Sequence, residues 1–274
     1  MLTRTRLLST LVGVVLAFSA IAAHAQAREE GRLLLATQVL NDVRDARDQG
    51  IPDRLLERAY GIAVIPDFTK VAFFLGGARG HGVVVVRDRS GHFSSPVFVT
   101  LTGGSFGFQW GVQKTDLVLV FTSEKGIEGI TGGKLTLGAD VSVAAGPVGR
   151  QASAATDQAF NAGVYSYSQT RGIFAGLALS GAALTIDDSA NAELYQHPGL
   201  LASDIISGAV RTDDSAAQRF MTAISEGTGL QPASSVASSA TAPAQPSAAP
   251  GARPNGPPAQ AFPLQDSNPG SNPN

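Results

Sequence analysis

Gly103-Gly104-Ser105-Phe106-Gly107 is the first stretch whose residue types could do chemistry. It fits the G-x-S-x-G pattern of a hydrolase nucleophile elbow, where a strand turns sharply into a helix and presents the serine to a histidine. His197 lies downstream with several aspartates before it, so the order of a triad is formally available. The residues that follow Ser105 argue against it. Phe106-Gly107-Phe108-Gln109-Trp110-Gly111 reads as a strand, and two glycines make a poor helix start. A serine hydrolase acting through Ser105 is therefore the minor alternative. A glycine-rich strand entry is the ordinary account.

The other chemical patterns fail on spacing. Gly132-Gly133-Lys134 has Glu128 where a phosphate loop needs glycine, and Leu135 where it needs Ser or Thr. Gly77-Ala78-Arg79-Gly80-His81-Gly82 lacks the dinucleotide spacing and feeds a strand. His81, His92 and His197 are far apart and form no H-x-x-x-H pair, which argues against a metal site. Asp187-Asp188-Ser189-Ala190-Asn191 lacks the glycine and terminal glutamate of a calcium loop. Capping of a helix by Asp188 or Ser189 is the simpler reading. The absence of cysteine excludes disulfides, thiolate metal sites and a cysteine nucleophile. No catalytic residue, metal ligand or cofactor is assigned.

The elements that must position any site are these. Residues 29–48 read as an amphipathic helix, with Leu33, Leu35, Ala36, Val39, Leu40, Val43 and Ala46 on one arc. Its opposite side is polar and acidic. Pro52 opens a shorter helix and Gly61 stops it. Short β-branched or aromatic runs follow at 62–65, 71–75, 82–87, 97–101, 106–111 and 117–122. Asp88-Arg89-Ser90-Gly91 reads as a hairpin turn. Val83–Val86 and Leu117–Phe121 are apolar throughout, so their strands need cover on both faces. Residues 134–145 alternate again, further strands fall at 164–168, 173–179 and 183–186, and closing helices at 191–195, 200–209 and 215–225. Residues 26–230 hold 27 of the 31 glycines, which suits a tightly bent sheet. The expected fold is α+β. Its core is an antiparallel, glycine-rich, strongly bent or barrel-like sheet, with N-terminal and C-terminal helices packed around it.

Arg4 and Arg6, the apolar run Leu7–Ile21 and Ala23-His24-Ala25 have the order of an export signal with a small-x-small cleavage site. Residues 1–25 are read as that signal, 26–230 as the globular domain, and 231–274 as a disordered tail rich in Pro, Ala and Ser. Without a cysteine at the cleavage site the protein is not a lipoprotein, and export places it in the periplasm or cell envelope. Loss of the signal lowers Lys plus Arg from 20 to 18 against 22 carboxylates, a net charge of −4. That balance excludes a grip on nucleic acid through bulk positive charge.

From Ile51 onward a series of short motifs resembles the SYLF domain family. Ile65-Pro66, Lys70 and Gly76, Gly77, Gly80 and Gly82 come first. Gly91-His92-Phe93-Ser94-Ser95-Pro96 is similar to the family's G-x-W-S-x-P, with Phe93 in place of tryptophan. Gly107-Phe108-Gln109-Trp110-Gly111, Leu137-Gly138-Ala139-Asp140, Gly146-Pro147-Val148-Gly149-Arg150, and the Tyr167-Ser168, Gly172, Phe174 and Gly176 block follow, then Asn191 and Tyr195. Their order spans roughly residues 29–226, and Ser105 falls inside it.

The resemblance implies a non-enzymatic lipid-binding module. Eukaryotic relatives bind phosphoinositides and some fungal ones bind actin, so the partner implied for an exported chain is envelope phospholipid or another phosphoinositide-like head group. The alternative is an envelope structural or interaction protein without a lipid ligand. The family's lipid contact through a basic N-terminal helix is met only in part, because residues 26–60 hold six arginines against seven carboxylates. The candidate lipid-binding residues are Arg28, Arg32, Leu33, Leu35, Val39, Leu40, Val43 and Arg47. The same arc can instead pack on the sheet, the usual use of such a face.

Mass analysis of the exported protein is expected to find Gln26 at its N-terminus. Retained Met1 or Leu2 would overturn the assignment of the signal.

Overall fold

The computed structural model describes residues 26–46, 50–72, 76–88, 90–105, 111–148, 161–170, 173–177 and 179–228. The export signal and tail read from the sequence lie outside these. Helix α1 covers residues 26–45, and α2 is Asp53–Glu57. The strands are β1 Gly61–Ala72, β2 Gly76–Val86, β3 Val97–Ser105, β4 Gly111–Phe121, β5 Lys134–Thr136, β6 Val143–Ala145, β7 Val164–Thr170, β8 Ile173–Gly176 and β9 Ala183–Ile186. Helix α3, Glu124–Thr131, follows β4. Helices α4 Asp188–Leu194, α5 Ala202–Ile206 and α6 Ser215–Thr228 close the chain. Among the described residues no helix is long and apolar enough to cross a membrane.

The strands form one strongly curled sheet, a half-barrel in the order β5-β9-β3-β2-β1-β4-β7-β6, with β8 on β7. The α+β class and bent sheet expected from the sequence are found. One pair departs from the expected antiparallel pattern, since β6 runs parallel to β7. Residues 62–65 and 71–72 belong to a single strand, not two. Pro66-Asp67 forms a bulge between them, with Asp67 at φ 51° and its N–H donating to the Asp116 carboxylate at 2.9 Å. The polar residues 113–116 also continue β4.

Pairing register assigns the two faces, because paired residues point the same way. Ile62, Val64, Val83, Val85, Phe98, Val118 and Val120 share one face. Leu40 and Val43 of α1, Leu56 of α2 and Ala223 and Ile224 of α6 meet Ile62 and Val118 there, around a narrow apolar crevice. Asp214 caps α6, accepting from the N–H groups of Ala216 and Ala217 at 2.9 Å. The other face carries Ala63, Ile65, Leu117, Leu119 and Phe121, and α3 lies over it, with Ile127 close to Gly61 and Gly126 close to Phe121. Gly80 and Gly82 let β2 approach β1. A Cβ on Gly82 would lie 2.2 Å from the Val64 carbonyl oxygen.

Gly82→Ala is expected to lower stability by about 1–3 kcal/mol in denaturant titration, because the crowding atom is strand backbone that cannot turn aside. Gly77→Ala, which meets nothing within 4 Å, should stay within about 0.5 kcal/mol of the parent. Equal stability of the two variants would overturn the close approach of β1 and β2.

Candidate lipid-facing site

Helix α1 carries most of the residues singled out from the sequence. Its inward side is Glu29, Leu33, Ala36, Val39 and Val43, all buried, with Leu40 half-buried beside them. At 100° per residue these span about 120°, a narrower arc than the sequence pattern outlines. Leu35 sits at the edge of the wider arc and is 45% exposed. Leu34, off the arc, is 42% exposed. Of the candidate residues, Leu33, Val39 and Val43 thus belong to the core, while Arg28 and Leu35 face outward. Arg47 lies outside the described residues.

Arg32 is the residue whose placement the sequence did not disclose. It lies inside the arc, and only 15% of its side chain is exposed. Its guanidinium donates to the Asp187 carboxylate at 3.2 Å and stands 5.9 Å from the centre of the Phe98 ring. The Glu29 carboxylate is fully buried beneath it. One oxygen accepts from Arg28 Nε at 2.9 Å, and the other lies 2.8 Å from Arg32 Nη1 without hydrogen-bond alignment. Arg28 also approaches Glu193 at 3.7 Å, and His81 Nδ1 lies 3.1 Å from the Thr100 hydroxyl and 3.6 Å from Asp187. This network ties the start of α1 to β2, β3 and α4. Asp187 also caps α4, accepting from the Ala190 N–H at 3.3 Å.

Burial raises the Glu29 carboxyl above its ordinary range despite both arginines. Burial also pushes Asp187 up, but hydrogen bonds from Ser189 and Ala190 and the Arg32 charge outweigh it, leaving a net lowering. His81 is lowered by burial and then by Arg32 and Arg79. No acid–base pair is set up around a cleft among the described residues. Among the described residues no cluster of three His, Asp or Glu side chains could hold a metal ion.

The hydrolase pattern finds no support in the geometry. Ser105 ends β3, and the next described element is strand β4, not a helix. His197 follows Tyr195, whose hydroxyl donates to the Pro96 carbonyl at 2.8 Å, at the opposite end of β3. The nine-residue strand β3, roughly 30 Å long, carries the chain from Pro96 to Ser105.

Comparison with known proteins identifies the family. Residues 102–227 match the family model Ysc84, described as "Las17-binding protein actin regulator". The chain is 34% identical over 190 residues to the Saccharomyces cerevisiae protein named LAS seventeen-binding protein 3, covering 68% of this chain and 41% of that one. The chain belongs to the SYLF (Ysc84) domain family. The SH3 domain-containing YSC84-like protein 1 of Xenopus laevis is 30% identical over 187 residues, covering 68% of this chain and 55% of that protein. Protein YSC84 of S. cerevisiae is 38% identical over 151 residues, or 54% and 32% of the two chains. The match spans less than two thirds of each relative's length.

In this SYLF domain the motif residues hold the fold together. Asn191 accepts from the Phe98 N–H at 2.8 Å, and with Tyr195 it secures the entry to β3. The Ser94 hydroxyl accepts from the Val86 N–H at 3.1 Å, and Phe93 is buried. The Asp140 carboxylate accepts from the Thr136 N–H at 2.6 Å. Gly146 lies under the Tyr167 ring, where a Cβ would come within 2.0 Å.

The lowered His81 favours the folded state while neutral. Its contribution is present above the unfolded value of about 6.5 and is lost as pH falls through the lower folded value. The raised Glu29 carboxyl acts the other way, so the His81 contribution is read as a difference: between pH 7 and pH 5 the melting temperature of His81→Gln should fall less, or rise more, than that of the parent. An unchanged slope would overturn this assignment. The lowered Asp187 acts in the same direction only below about pH 4.

Proposed function

We propose that this SYLF domain is a non-enzymatic module that binds anionic phospholipid surfaces, and that export by residues 1–25 makes the cell envelope its place of action. The observation that carries this is the exposed pair Leu34 and Leu35 on the outer side of α1, with the largely exposed Arg28 about two turns before them. A docked helix of this kind needs no rearrangement. Docking through Leu33, Val39 and Val43 instead would require α1 to leave the sheet. That would expose three core side chains at about 1.5–3 kcal/mol each. The sum approaches the whole stability of a typical domain, about 5–15 kcal/mol. The outer leucines are the economical contact. An arginine near a charged surface adds about 1 kcal/mol, and the net charge of −4 keeps binding from being purely electrostatic.

A second reading takes its support from the comparisons: the family model is described as a Las17-binding actin regulator, and a yeast relative is named for binding LAS seventeen. Under it, the same outward leucines meet an envelope protein in place of lipid.

Co-sedimentation with phosphatidylglycerol vesicles at low salt separates the two readings. Leu34→Ser combined with Leu35→Ser should weaken vesicle binding about tenfold or more while the melting temperature holds. Leu33→Ser should lower the melting temperature, because that side chain is core. A folded protein that ignores anionic vesicles would remove the lipid reading and leave the protein partner.

A further inference from the structure

Asp42, Asp116 and Gln169 meet where the second half of α1 crosses β4 and β7. Gln169 Nε2 donates to the Asp42 carboxylate at 2.9 Å, across 127 positions of sequence. Gln169 is also paired in register with Asp116. Cross-strand partners stand on one face with their Cβ atoms about 5 Å apart. The Gln169 amide therefore lies between two carboxylates. Its neighbour on the other strand is Phe174, which is buried and has no polar side-chain atom.

Gln169 is only 4% exposed, and its Oε1 has no hydrogen-bond partner among the described residues. Buried amide oxygens are normally satisfied, so one left over calls for a donor or a cation. The two carboxylates beside it supply neither, because an ionised carboxylate only accepts. Among the described residues no ion pair reaches Asp42 or Asp116. Asp116 accepts the Asp67 N–H at 2.9 Å, while the exposed Asp67 carboxylate is turned to Lys114, 3.7 Å away. Burial pushes the Asp116 carboxyl up, the Asp67 N–H pulls it back, and the charges of Asp67 and Asp42 push it up again. Negative charge is in excess at this point of the sheet, and the acceptor oxygens crowd together with no positive group among them.

We propose that the Asp42 and Asp116 carboxylates and the Gln169 amide oxygen form a binding site for a hard divalent cation, calcium or magnesium. A donor set made only of oxygen, and mostly charged, selects such an ion over zinc or copper, which favour nitrogen and sulfur. Two carboxylates and one amide leave the remaining coordination positions to water. The set has two acidic groups and not three, so binding is weak, with a dissociation constant of about 0.1–1 mM. Asp42 belongs to α1, Asp116 to β4 and Gln169 to β7. A bound cation pins the second half of α1 to the sheet, as the Glu29, Arg32 and Asp187 network pins its start. The site goes beyond the lipid reading and does not depend on it.

Calcium chloride and magnesium chloride are titrated separately into the full chain after treatment with chelator, with ionic strength held constant by potassium chloride. At least one of the two should show saturable binding by calorimetry. It should also raise the melting temperature by about 3–6 °C at about ten times its dissociation constant. Asp116→Asn and Gln169→Leu should each weaken binding about tenfold or more and remove most of that rise. In chelator, Asp116→Asn should melt no lower than the parent, because asparagine keeps an oxygen for the Asp67 N–H and removes one of the crowded charges. That separates a lost ligand from a damaged fold. Gln169→Glu should bind the ion more tightly than the parent while melting lower in chelator, since it adds a third carboxylate. No saturable binding of either ion by the folded parent, or Asp116→Asn and Gln169→Leu binding like the parent, would overturn the site.

Discussion

The structure depends on a strand with no outside. Ile62, Ala63, Val64 and Ile65 of β1 are consecutive and essentially inaccessible to solvent, so the central strand must be covered on both faces. A sheet of this kind cannot stand with one face in water. One face is closed by α1, α2 and α6. The other is closed by α3 and by the curl of the sheet itself, which glycines on β2 permit. Each helix has a position because one of these faces would otherwise be bare.

The ion network at the start of α1 follows from the same demand. An amphipathic helix laid across a sheet by apolar contacts alone can slide or roll. Glu29, Arg32 and Asp187 remove that freedom, because their charges must be matched once they are buried. The network is poor evidence for net stability, since desolvation offsets most of the attraction between buried charges. The raised Glu29 carboxyl shows that offset directly. Its contribution is orientation: Arg32 can reach Asp187, Glu29 and the Phe98 ring together in one placement of the helix.

How much of this was legible varies by element, for physical reasons. The apolar rows of β1, β2 and β4 could be read because burial on both faces leaves no polar positions. The helix arc could be read because its period is that of a helix. Leu35 was assigned to the arc because a wheel records angle and not the width of the surface beneath. Arg32 was a candidate for lipid because residue type alone does not reveal a carboxylate 155 positions away. Pro66-Asp67 looked like a break, since local propensity cannot show that Asp116 will receive the Asp67 N–H and carry the strand through. The parallel β6–β7 pair leaves no local signal. The family motifs pointed to the right family. Their polar members were legible as a pattern but not as roles, for Ser94, Asp140, Asn191 and Tyr195 act by satisfying backbone groups.

That division of labour also decides where function can reside. The motif residues and the inward arc of α1 are consumed by cover and by backbone hydrogen bonding. A ligand that used them would have to compete with the fold. Among the described residues there is no cleft with matched acid and base, and the glycines that allow close backbone approach lie in the core. Among the described residues the large apolar side chains left outward are Leu34 and Leu35 on α1, Val71 and Val112 at the sheet end, and Tyr60, Ile173 and Leu201 elsewhere. Surfaces of this shape are broad and shallow, and they suit a partner that is itself broad. A bilayer meets that condition without requiring a specific side-chain fit. Under the lipid reading proposed above, it is the shape and charge of this outward side, and not the covered core, that set affinity.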